Sequence, residues 1–255
     1  GAFHIQEAVP EIATIFTTHA TSIGRSIAGN HKPLYDYLSE YNGDQMAFEL
    51  NMISKHSTEK KAAHCVDCFT TVSNITGLEC TQLLEKTPDV ITPNGFEDDI
   101  VPTGNEYKSK RAEARSRLKL VAESLFGYEL KKDTLFVSTA GRYEFKNKGI
   151  DVFIESLKRL SQMSHFNREV VAFIMVPAHI KGPRPDLAAR LSNPDAEMDY
   201  WNRQTTHDLY DYQHDSVISS LRWFHFYNLK NEKVKIIFVP SYLSGNDGIF
   251  NMTYW

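Results

Sequence analysis

The sequence predicts an α/β protein in which two sheet-bearing halves are joined near the middle of the chain. Short β-branched and aromatic runs alternate with helical patterns in both halves, which is typical of βαβ units with parallel strands. Residues 170–176 (VVAFIMV) are apolar throughout, as is usual for a strand buried on both faces. Between the halves, Pro93, Asn94 and Gly95 form a strong turn signal. These observations favour parallel sheets in two domains.

The first half, residues 1–96, contains three predicted strands rich in β-branched and aromatic residues. They fall at 12–16, 66–72 and 89–92. A helix is predicted at 54–64, and Ser73 is well placed to cap a second helix that runs to Leu84. Three strands are fewer than a complete doubly wound domain contains. We therefore expect this half to be part of a larger domain.

The second half begins with a connection and a helix, residues 97–132. Apolar residues recur every three or four positions along 106–126, and Gly127 is a natural helix stop. Residues 133–255 are predicted to form the second domain. Its strands are expected at 135–139, 170–176 and 234–239. The segment of about 178–232 is far longer than a crossover needs, so we predict an inserted helical hairpin there.

The composition argues against several classes of protein. The 255 residues are 42% hydrophobic and 24% charged, which is ordinary for a globular domain. A net charge of −4 does not suggest a nucleic-acid partner. No run of 18 apolar residues occurs, so we expect no membrane span. Three cysteines in a chain of this length fit a reducing compartment, and we expect a cytoplasmic protein.

The most informative stretch is GRYEFKNKG at 141–149, between a predicted strand and the start of a predicted helix. Ligands of open parallel sheets bind beyond the carboxyl ends of the strands. Arg142 and Lys148 lie six residues apart there, and a helix beginning near Gly149 adds partial positive charge and free N–H groups. A guanidinium and an ammonium together suit a diphosphate leaving group. On composition alone, a solvated basic loop is the favoured interpretation of this stretch.

Three other positions are candidates for ligand contact. His19 lies three residues after the end of the first predicted strand, and Arg25 lies about one and a half helical turns further on. Asn94 lies at the junction between the halves. The alternatives are a structural histidine in a loop and a simple turn.

His207, Asp211 and His214 have the spacing of one helical face. Such a face can bind a transition metal, but it is also typical of a solvated helix. We favour the solvated helix and predict no metal site.

The candidate loops belong to longer strings that resemble one family along nearly the whole chain. The strings are TIFTTHATSIGR, AAHCVDCFTTVSNIT, PNGFED, GRYEFKNKGIDVFIESLKRL and VKIIFVP. They resemble the glycogen synthases of animals and fungi. The resemblance implies a GT-B architecture, with two Rossmann-like domains facing each other across a cleft. It also implies retaining transfer of glucose from UDP-glucose to the non-reducing end of an α-1,4-glucan such as glycogen, with no metal or other cofactor.

The resemblance implies a role for each candidate residue. Arg142 and Lys148 would bind the diphosphate and stabilise the charge on the departing UDP. Arg25 would reach the same phosphates, or the reacting centre, from the opposite domain when the cleft closes, and His19 would lie beside the glucosyl ring. Asn94 is a weaker candidate for contact with the sugar. The predicted catalytic residues are therefore His19, Arg142 and Lys148.

The resemblance further implies that the chain is a central fragment, because the family's glycine-rich donor loop and paired-glutamate motif are not among its residues. Residues 1–96 would be the C-terminal part of the N-terminal domain. Residues 133–255 would be the N-terminal part of the C-terminal, donor-binding domain. In this family the inserted segment takes part in subunit contacts, so we expect a homo-oligomer. The aromatic candidates for that contact are Trp223, Phe224, Phe226 and Tyr227.

Two other functions stay open. One is a non-catalytic module or regulatory homologue that binds a nucleotide-sugar or a glucan. The other is a GT-B transferase with a different acceptor, such as a sucrose- or trehalose-forming enzyme. The recognisable motifs do not include the contacts of the base, so ADP-glucose stays an alternative donor to UDP-glucose.

Overall fold

The computed structural model describes residues 2–252, and at residues 2–4 and 100 it describes the backbone only. The chain divides into two compact units, Gly1–Glu97 and Asp98–Trp255. Each unit contains a three-stranded parallel sheet with its helices. Within residues 2–252, no helix combines the length and the apolar character that crossing a bilayer requires.

Unit 1 alternates strands and helices as the sequence predicts. Its elements are α1 (Ala2–Ala8), β1 (Ile15–Thr18), α2 (Ser22–Gly29), α3 (Gly43–Glu49), α4 (Ile53–Cys65), β2 (Cys68–Thr71), α5 (Asn74–Leu83) and β3 (Val90–Ile91). The strand order is β1-β2-β3, and all neighbours are parallel. Ser73 caps α5, because its hydroxyl accepts a hydrogen bond from the N–H of Thr76.

The first strand begins later than predicted. The sequence favours residues 12–16, but pairing with β2 begins at Ile15. Thr14 is not part of the strand, because its N–H and hydroxyl both donate to the Asp67 carboxylate, at 2.7 and 2.9 Å. The shift places Thr18 at the carboxyl end of β1, directly before His19.

Unit 2 contains the remaining elements. They are α6 (Gly104–Phe126), β4 (Leu135–Ala140), α7 (Ile150–Gln162), β5 (Val170–Met175), β6 (Ile180–Pro183), α8 (Pro185–Ser192), β7 (His207–Leu209), α9 (Ser216–Trp223) and β8 (Val234–Val239). The predicted helix at 106–126 and the three predicted strands are confirmed. Gly127 ends α6 with φ 79°, a left-handed conformation that glycine adopts without strain.

The main sheet of unit 2 has the order β4-β5-β8, and every residue of β5 and β8 is buried. Side chains of β5 alternate between two cores. Val170, Ala172 and Ile174 pack with α7 and α9, whereas Val171 and Phe173 pack with α6 and α8. Both faces of the sheet are covered, which explains why these strands are apolar at every position except Lys235.

The inserted segment is more than the predicted helical hairpin. It contains the helices α8 and α9, but also β6 and β7, which pair antiparallel. The buried guanidinium of Arg184 organises it: Nη2 and Nε contact the Asp186 carboxylate at 2.6 and 3.1 Å, and Nη1 donates to the carbonyl of Thr205 at 3.2 Å. Arg184 thus connects distant parts of the inserted segment through hydrogen bonds, and we call this segment, about residues 178–232, the inserted lobe.

The predicted helical face of His207, Asp211 and His214 is wrong. His207 lies in β7 and is fully buried, and its Nε2 lies 3.0 Å from the carbonyl oxygen of Asp247. Desolvation lowers the pKa of this imidazole. Asp211 and His214 lie in the following turn, where they contact each other at 2.9 Å. Residues 2–252 contain no group of three or more His, Cys, Asp or Glu side chains that could hold a metal ion.

Candidate functional site

The basic loop of unit 2 connects β4 to α7 and is anchored by its aromatic residues. The Tyr143 hydroxyl donates to Oδ2 of Asp215 at 2.8 Å and accepts from the N–H of Val217 at 3.1 Å. The Tyr143 ring packs edge-on against Phe238, with centroids 5.8 Å apart. Burial, together with the neighbouring Asp215 carboxylate, raises the pKa of Tyr143. The loop is thus fixed to α9 and to the sheet.

The same loop directs its basic side chains to solvent. Arg142, Lys146, Asn147 and Lys148 are all exposed, whereas Tyr143 and Phe145 are partly buried against the core. Hydrogen bonds within the loop fix the turn. The N–H of Lys148 donates to the carbonyl of Glu144 at 2.8 Å, and the N–H of Gly149 donates to that of Lys146 at 2.9 Å. The structure therefore places Arg142 and Lys148 on one loop, beyond the carboxyl end of β4.

The ion pairs of this loop distinguish its three cations. Lys146 contacts Asp151 at 2.7 Å, and the Nε of Arg142 lies 3.2 Å from Glu144. Among residues 2–252, Lys148 has no carboxylate within ion-pairing distance. Both pairs are solvated and weak, but the pair of Arg142 with Glu144 is longer and more exposed than that of Lys146 with Asp151. Arg142 and Lys148 are consequently the cations most available to an anion.

The start of α7 differs from the prediction in one respect. Gly149 precedes the helix with φ 63°, a left-handed conformation that glycine adopts without strain. The first two N–H groups of the helix, those of Ile150 and Asp151, both donate to the carbonyl of Phe145, at 3.1 and 3.4 Å. The sequence predicts free N–H groups at this helix start, but these two are already used by the protein and are not available to a ligand. The positive charge of this loop is carried by side chains.

In unit 1, His19 and Arg25 line one cavity of about 720 Å³. His19 follows β1, and Arg25 lies on the first turn of α2. Residues of α4 form another wall of the same cavity. Asn94 is exposed in the segment after β3 and does not line this cavity. The structure thus brings His19 and Arg25 to one site and leaves Asn94 outside it.

Two buried glutamates hold the loop between β1 and α2. Glu59 accepts from the Thr18 hydroxyl at 2.6 Å and from the N–H of Ser22 at 2.7 Å, so it contacts both sides of His19. Glu79 accepts from the Thr21 hydroxyl at 2.8 Å. Carboxylates are favourable at this helix start because the helix dipole places positive charge there. The loop that carries His19 is therefore fixed from within unit 1.

Glu79 has a second partner, the hydroxyl of Tyr35, at 2.6 Å. Burial and this hydrogen bond raise the pKa of Tyr35 to about 12. Thr21 caps α2 by accepting from the N–H of Gly24 at 3.0 Å. Gly24 leaves no room for a side chain, because a Cβ there would lie 2.7 Å from Oε2 of Glu79 and closer still to Oγ1 of Thr21.

Sequence reasoning missed both glutamates and also Lys55, which lines the cavity of His19. The glutamates contact partners about 40 to 60 residues away, and no local pattern reports such contacts. For Lys55 a signal existed. With Thr58, Glu59 and Ala62 it has the spacing of one helical face, and all four line the cavity.

The two units define the class of protein. Each carries a parallel sheet packed with helices, which is the Rossmann-like arrangement of GT-B glycosyltransferases. The sequence model of the glycogen synthase family matches residues 4–183. The chain belongs to the glycogen synthase family.

Several curated relatives support this assignment. The chain is 31% identical to the liver glycogen [starch] synthases of Rattus norvegicus and Homo sapiens, over 95% of its own length and 42% of theirs. It is 28% identical to glycogen [starch] synthase isoform 1 of Saccharomyces cerevisiae, over 96% of its length and 44% of the relative's. The chain therefore spans about two fifths of the length of these relatives.

The alignments also show that the relatives are longer than this chain within the aligned region. The aligned stretch with the rat and human proteins is 297 positions long, more than the 255 residues of the chain, so the relatives contain residues within it that this chain lacks. The family match ends at residue 183, the last residue of β6.

Proposed function

We propose that this chain is part of an enzyme that transfers glucose, with retention of configuration, from UDP-glucose to the non-reducing end of an α-1,4-glucan. Family membership supports the reaction class. The observation that carries the proposal is the basic loop of unit 2, because its aromatic residues are locked while Arg142 and Lys148 project beyond the carboxyl end of β4. Donors of open parallel sheets bind at that edge.

Arg142 and Lys148 act on the leaving group. As the bond between glucose and phosphate breaks, negative charge grows on the diphosphate of UDP. A guanidinium and an ammonium stabilise this charge more strongly than that of the intact donor, which lowers the barrier. In this proposal the two cations suffice, and no metal ion or other cofactor is required.

His19, Arg25 and Asn94 have proposed roles in unit 1. His19 contacts the glucosyl ring and supports the positive charge that develops at its anomeric carbon. Arg25 binds the donor phosphates, and Asn94 contacts the sugar. The shared cavity supports the roles of His19 and Arg25. The role proposed for Asn94 depends on the family resemblance alone.

The experiment compares donor binding by variants of the basic loop. UDP-glucose and ADP-glucose are titrated calorimetrically into the chain and into Arg142→Ala, Lys148→Ala and Lys146→Ala. We expect tighter binding of UDP-glucose, weakened about tenfold or more by the first two substitutions, because each removes a hydrogen bond to a charged group. Lys146→Ala is the matched control, since Lys146 already contacts Asp151. Equal effects of all three would refute the assignment.

Transfer is measured in the full-length protein that contains this chain, as incorporation of labelled glucose into glycogen, with and without a metal chelator. Arg142→Ala should lower this rate by about 10²–10³, as loss of a charge-stabilising donor does in other enzymes. A rate that the chelator does not change supports the metal-free proposal. Donor binding without any transfer favours the alternative, a non-catalytic nucleotide-sugar-binding module.

Self-association through residues 178–232 and a cytoplasmic location are further parts of the proposal. Of the four aromatic candidates, Trp223 and Tyr227 are exposed, whereas Phe226 is buried and Phe224 packs against the same core. We expect Trp223→Ser to weaken any dimer measured by light scattering. The location is supported by the three cysteines, all within the described residues and none in a disulfide.

A further inference from the structure

We propose that Lys55 is a third cationic residue of the cavity lined by His19 and Arg25, and that this cavity binds a phosphoryl group within unit 1. The inference deepens the proposed function and rests on it in one respect: the phosphoryl group is taken to be that of the sugar-nucleotide donor. Neither the sequence motifs nor the family resemblance assigns a role to Lys55.

The face of α4 that lines the cavity is a single helical stripe. Lys55, Thr58, Glu59 and Ala62 occupy positions i, i+3, i+4 and i+7, and all four line the cavity. Lys55 is exposed, and it lies one turn before the glutamate that holds the loop of His19. Lys55 is therefore an exposed cationic residue in the lining of the cavity that His19 and Arg25 also line.

The other two lysines of α4 are placed differently. Lys60 contacts Asp44 at 2.8 Å and Glu85 at 3.0 Å, so its charge is already neutralised. Lys61 is exposed but does not line the cavity, because it lies off the stripe. Among the described residues, Lys55 has no carboxylate at ion-pairing distance. Of these three lysines, Lys55 is the one that lines the cavity and has no ion-pair partner among the described residues.

The single carboxylate in the cavity wall offsets only part of the positive charge of Arg25 and Lys55, and it forms no ion pair with either among the described residues. Both oxygens of Glu59 are engaged, one by the hydroxyl of Thr18 and the other by the N–H of Ser22, and Glu59 is buried. The exposed lining thus contains Arg25 and Lys55 without an exposed acidic partner. A concave surface with an excess of cations attracts anions and concentrates them.

The size and the donors of the cavity fit a phosphoryl group with a sugar attached. The volume of about 720 Å³ lies in the range of small-molecule sites. Serine hydroxyls also line it, from Ser22 on α2 and Ser54 on α4. Charged donors supply binding energy for the phosphoryl oxygens, and hydroxyl groups suit a sugar.

The test uses Lys55→Met, with Lys61→Met as the matched control on the same helix. Both are made in a background that carries Arg142→Ala and Lys148→Ala, so that the basic loop of unit 2 does not contribute. Pyrophosphate is titrated calorimetrically at low and at high salt. We expect Lys55→Met to weaken pyrophosphate about tenfold, which equals about 1.4 kcal/mol, and Lys61→Met to change it less than twofold. Lys55→Arg, which keeps the charge, should retain binding.

Salt should weaken the Lys55-dependent part of binding, because exposed charges are screened. Equal affinities of the Lys55→Met and Lys61→Met variants would overturn the inference. To identify the source of the phosphoryl group, UDP-glucose and glucose 1-phosphate are titrated into Lys55→Met and Lys61→Met variants that retain Arg142 and Lys148. Loss of UDP-glucose binding in Lys55→Met supports the donor. Loss for glucose 1-phosphate alone supports the site but assigns it to a separate sugar phosphate.

The outcomes for the two proposals are independent. If Arg142→Ala weakens UDP-glucose and Lys55→Met weakens nothing, the proposed function stands and the role of Lys55 is refuted. If Lys55→Met weakens pyrophosphate and Arg142→Ala has no effect on UDP-glucose, the site in unit 1 stands and the proposed donor loop is refuted. Circular dichroism melts of each variant show that the fold is retained.

Discussion

Replacing either glycine of α2 by alanine makes the same chemical change on the same helix, and we predict opposite effects on stability. Gly29 is exposed, and a Cβ there would meet nothing within 4 Å. Gly24 is buried, and its Cβ would contact Oε2 of Glu79 at 2.7 Å and displace the cap residue Thr21. The comparison therefore isolates the packing of the loop that carries His19.

The magnitudes follow from the contacts that each substitution changes. In a helix, alanine is favoured over glycine by about 0.5–1 kcal/mol, and Gly29→Ala should gain up to that amount. Gly24→Ala has the same gain but loses the cap of Thr21, at about 1 kcal/mol. It also disturbs a buried carboxylate and its hydrogen bonds, at about 1–3 kcal/mol. We expect a net loss of about 1–3 kcal/mol in the free energy of unfolding.

Urea denaturation followed by circular dichroism measures these changes. All three tryptophans of the chain lie in unit 2, so tryptophan emission does not report on α2. Hydrogen exchange of peptides covering residues 17–29 provides the local readout. Gly24→Ala should speed exchange there, and Gly29→Ala should not. Equal shifts in stability for both variants would refute the assignment of Gly24 to a close-packed loop anchor.

Two further predictions concern unit 2. The buried ammonium of Lys235 lies 2.9 Å from the carboxylate of Glu169, and Glu169→Gln removes this charge partner. We expect the free energy of unfolding, measured by urea titration, to fall by about 3–5 kcal/mol. The double variant Glu169→Gln/Lys235→Met should recover most of this loss. Burial alone would raise the pKa of Glu169, but hydrogen bonds from Thr134 and Lys235 outweigh it and hold that pKa below its ordinary value. This contribution to stability is complete above the ordinary carboxyl pKa and is lost as pH falls through the lowered pKa, so the variant should lose less stability on acidification. Tyr143→Phe removes the hydroxyl that fixes the basic loop to Asp215 and should weaken UDP-glucose about fivefold, whereas Tyr107→Phe, on the exposed part of α6, should not.

The regular elements could be predicted from the sequence because their signals are local. The periodicity of α6, the apolar runs of β5 and β8, and the cap at Ser73 each depend on residues within a few positions. The presence of two sheet-bearing halves follows from the same pattern. The positions of Arg142 and Lys148 on one exposed loop were predictable for this reason, since strand, loop and helix follow one another in the chain.

The inserted segment could not be predicted in the same way. Its strands are only three or four residues long, and its interior includes polar side chains, with Arg184, Gln204 and His207 all buried. Such residues ordinarily indicate a surface, and their burial depends on partners that come together only in the fold. The burial of Phe226 could not be predicted for a related reason, because an aromatic residue indicates a core and an interface equally well. The family match also ends at the start of this lobe.

The glutamates beneath His19 show a limit of a different kind. A lone glutamate in the pattern of α4 predicts a solvated face, yet Glu59 is buried because the loop after β1 supplies two donors for it. Glu59 and its hydrogen-bond partner Thr18 lie about 40 residues apart in the sequence, so their contact is visible only in the folded structure. The local sequence contains one signal for Glu59, its position on the same face of α4 as Lys55.

The two candidate sites share one electrostatic property. At α2, Glu59 accepts from the first N–H group, that of Ser22, and Thr21 accepts from Gly24. At α7, the carbonyl of Phe145 accepts from the first two N–H groups. Because the fold already uses these N–H groups, we expect the exposed side chains around them to supply most of the charge that the proposed phosphate binding requires. Charges of that kind are screened by salt over about 10 Å, so phosphate binding at both sites should weaken steeply as ionic strength rises.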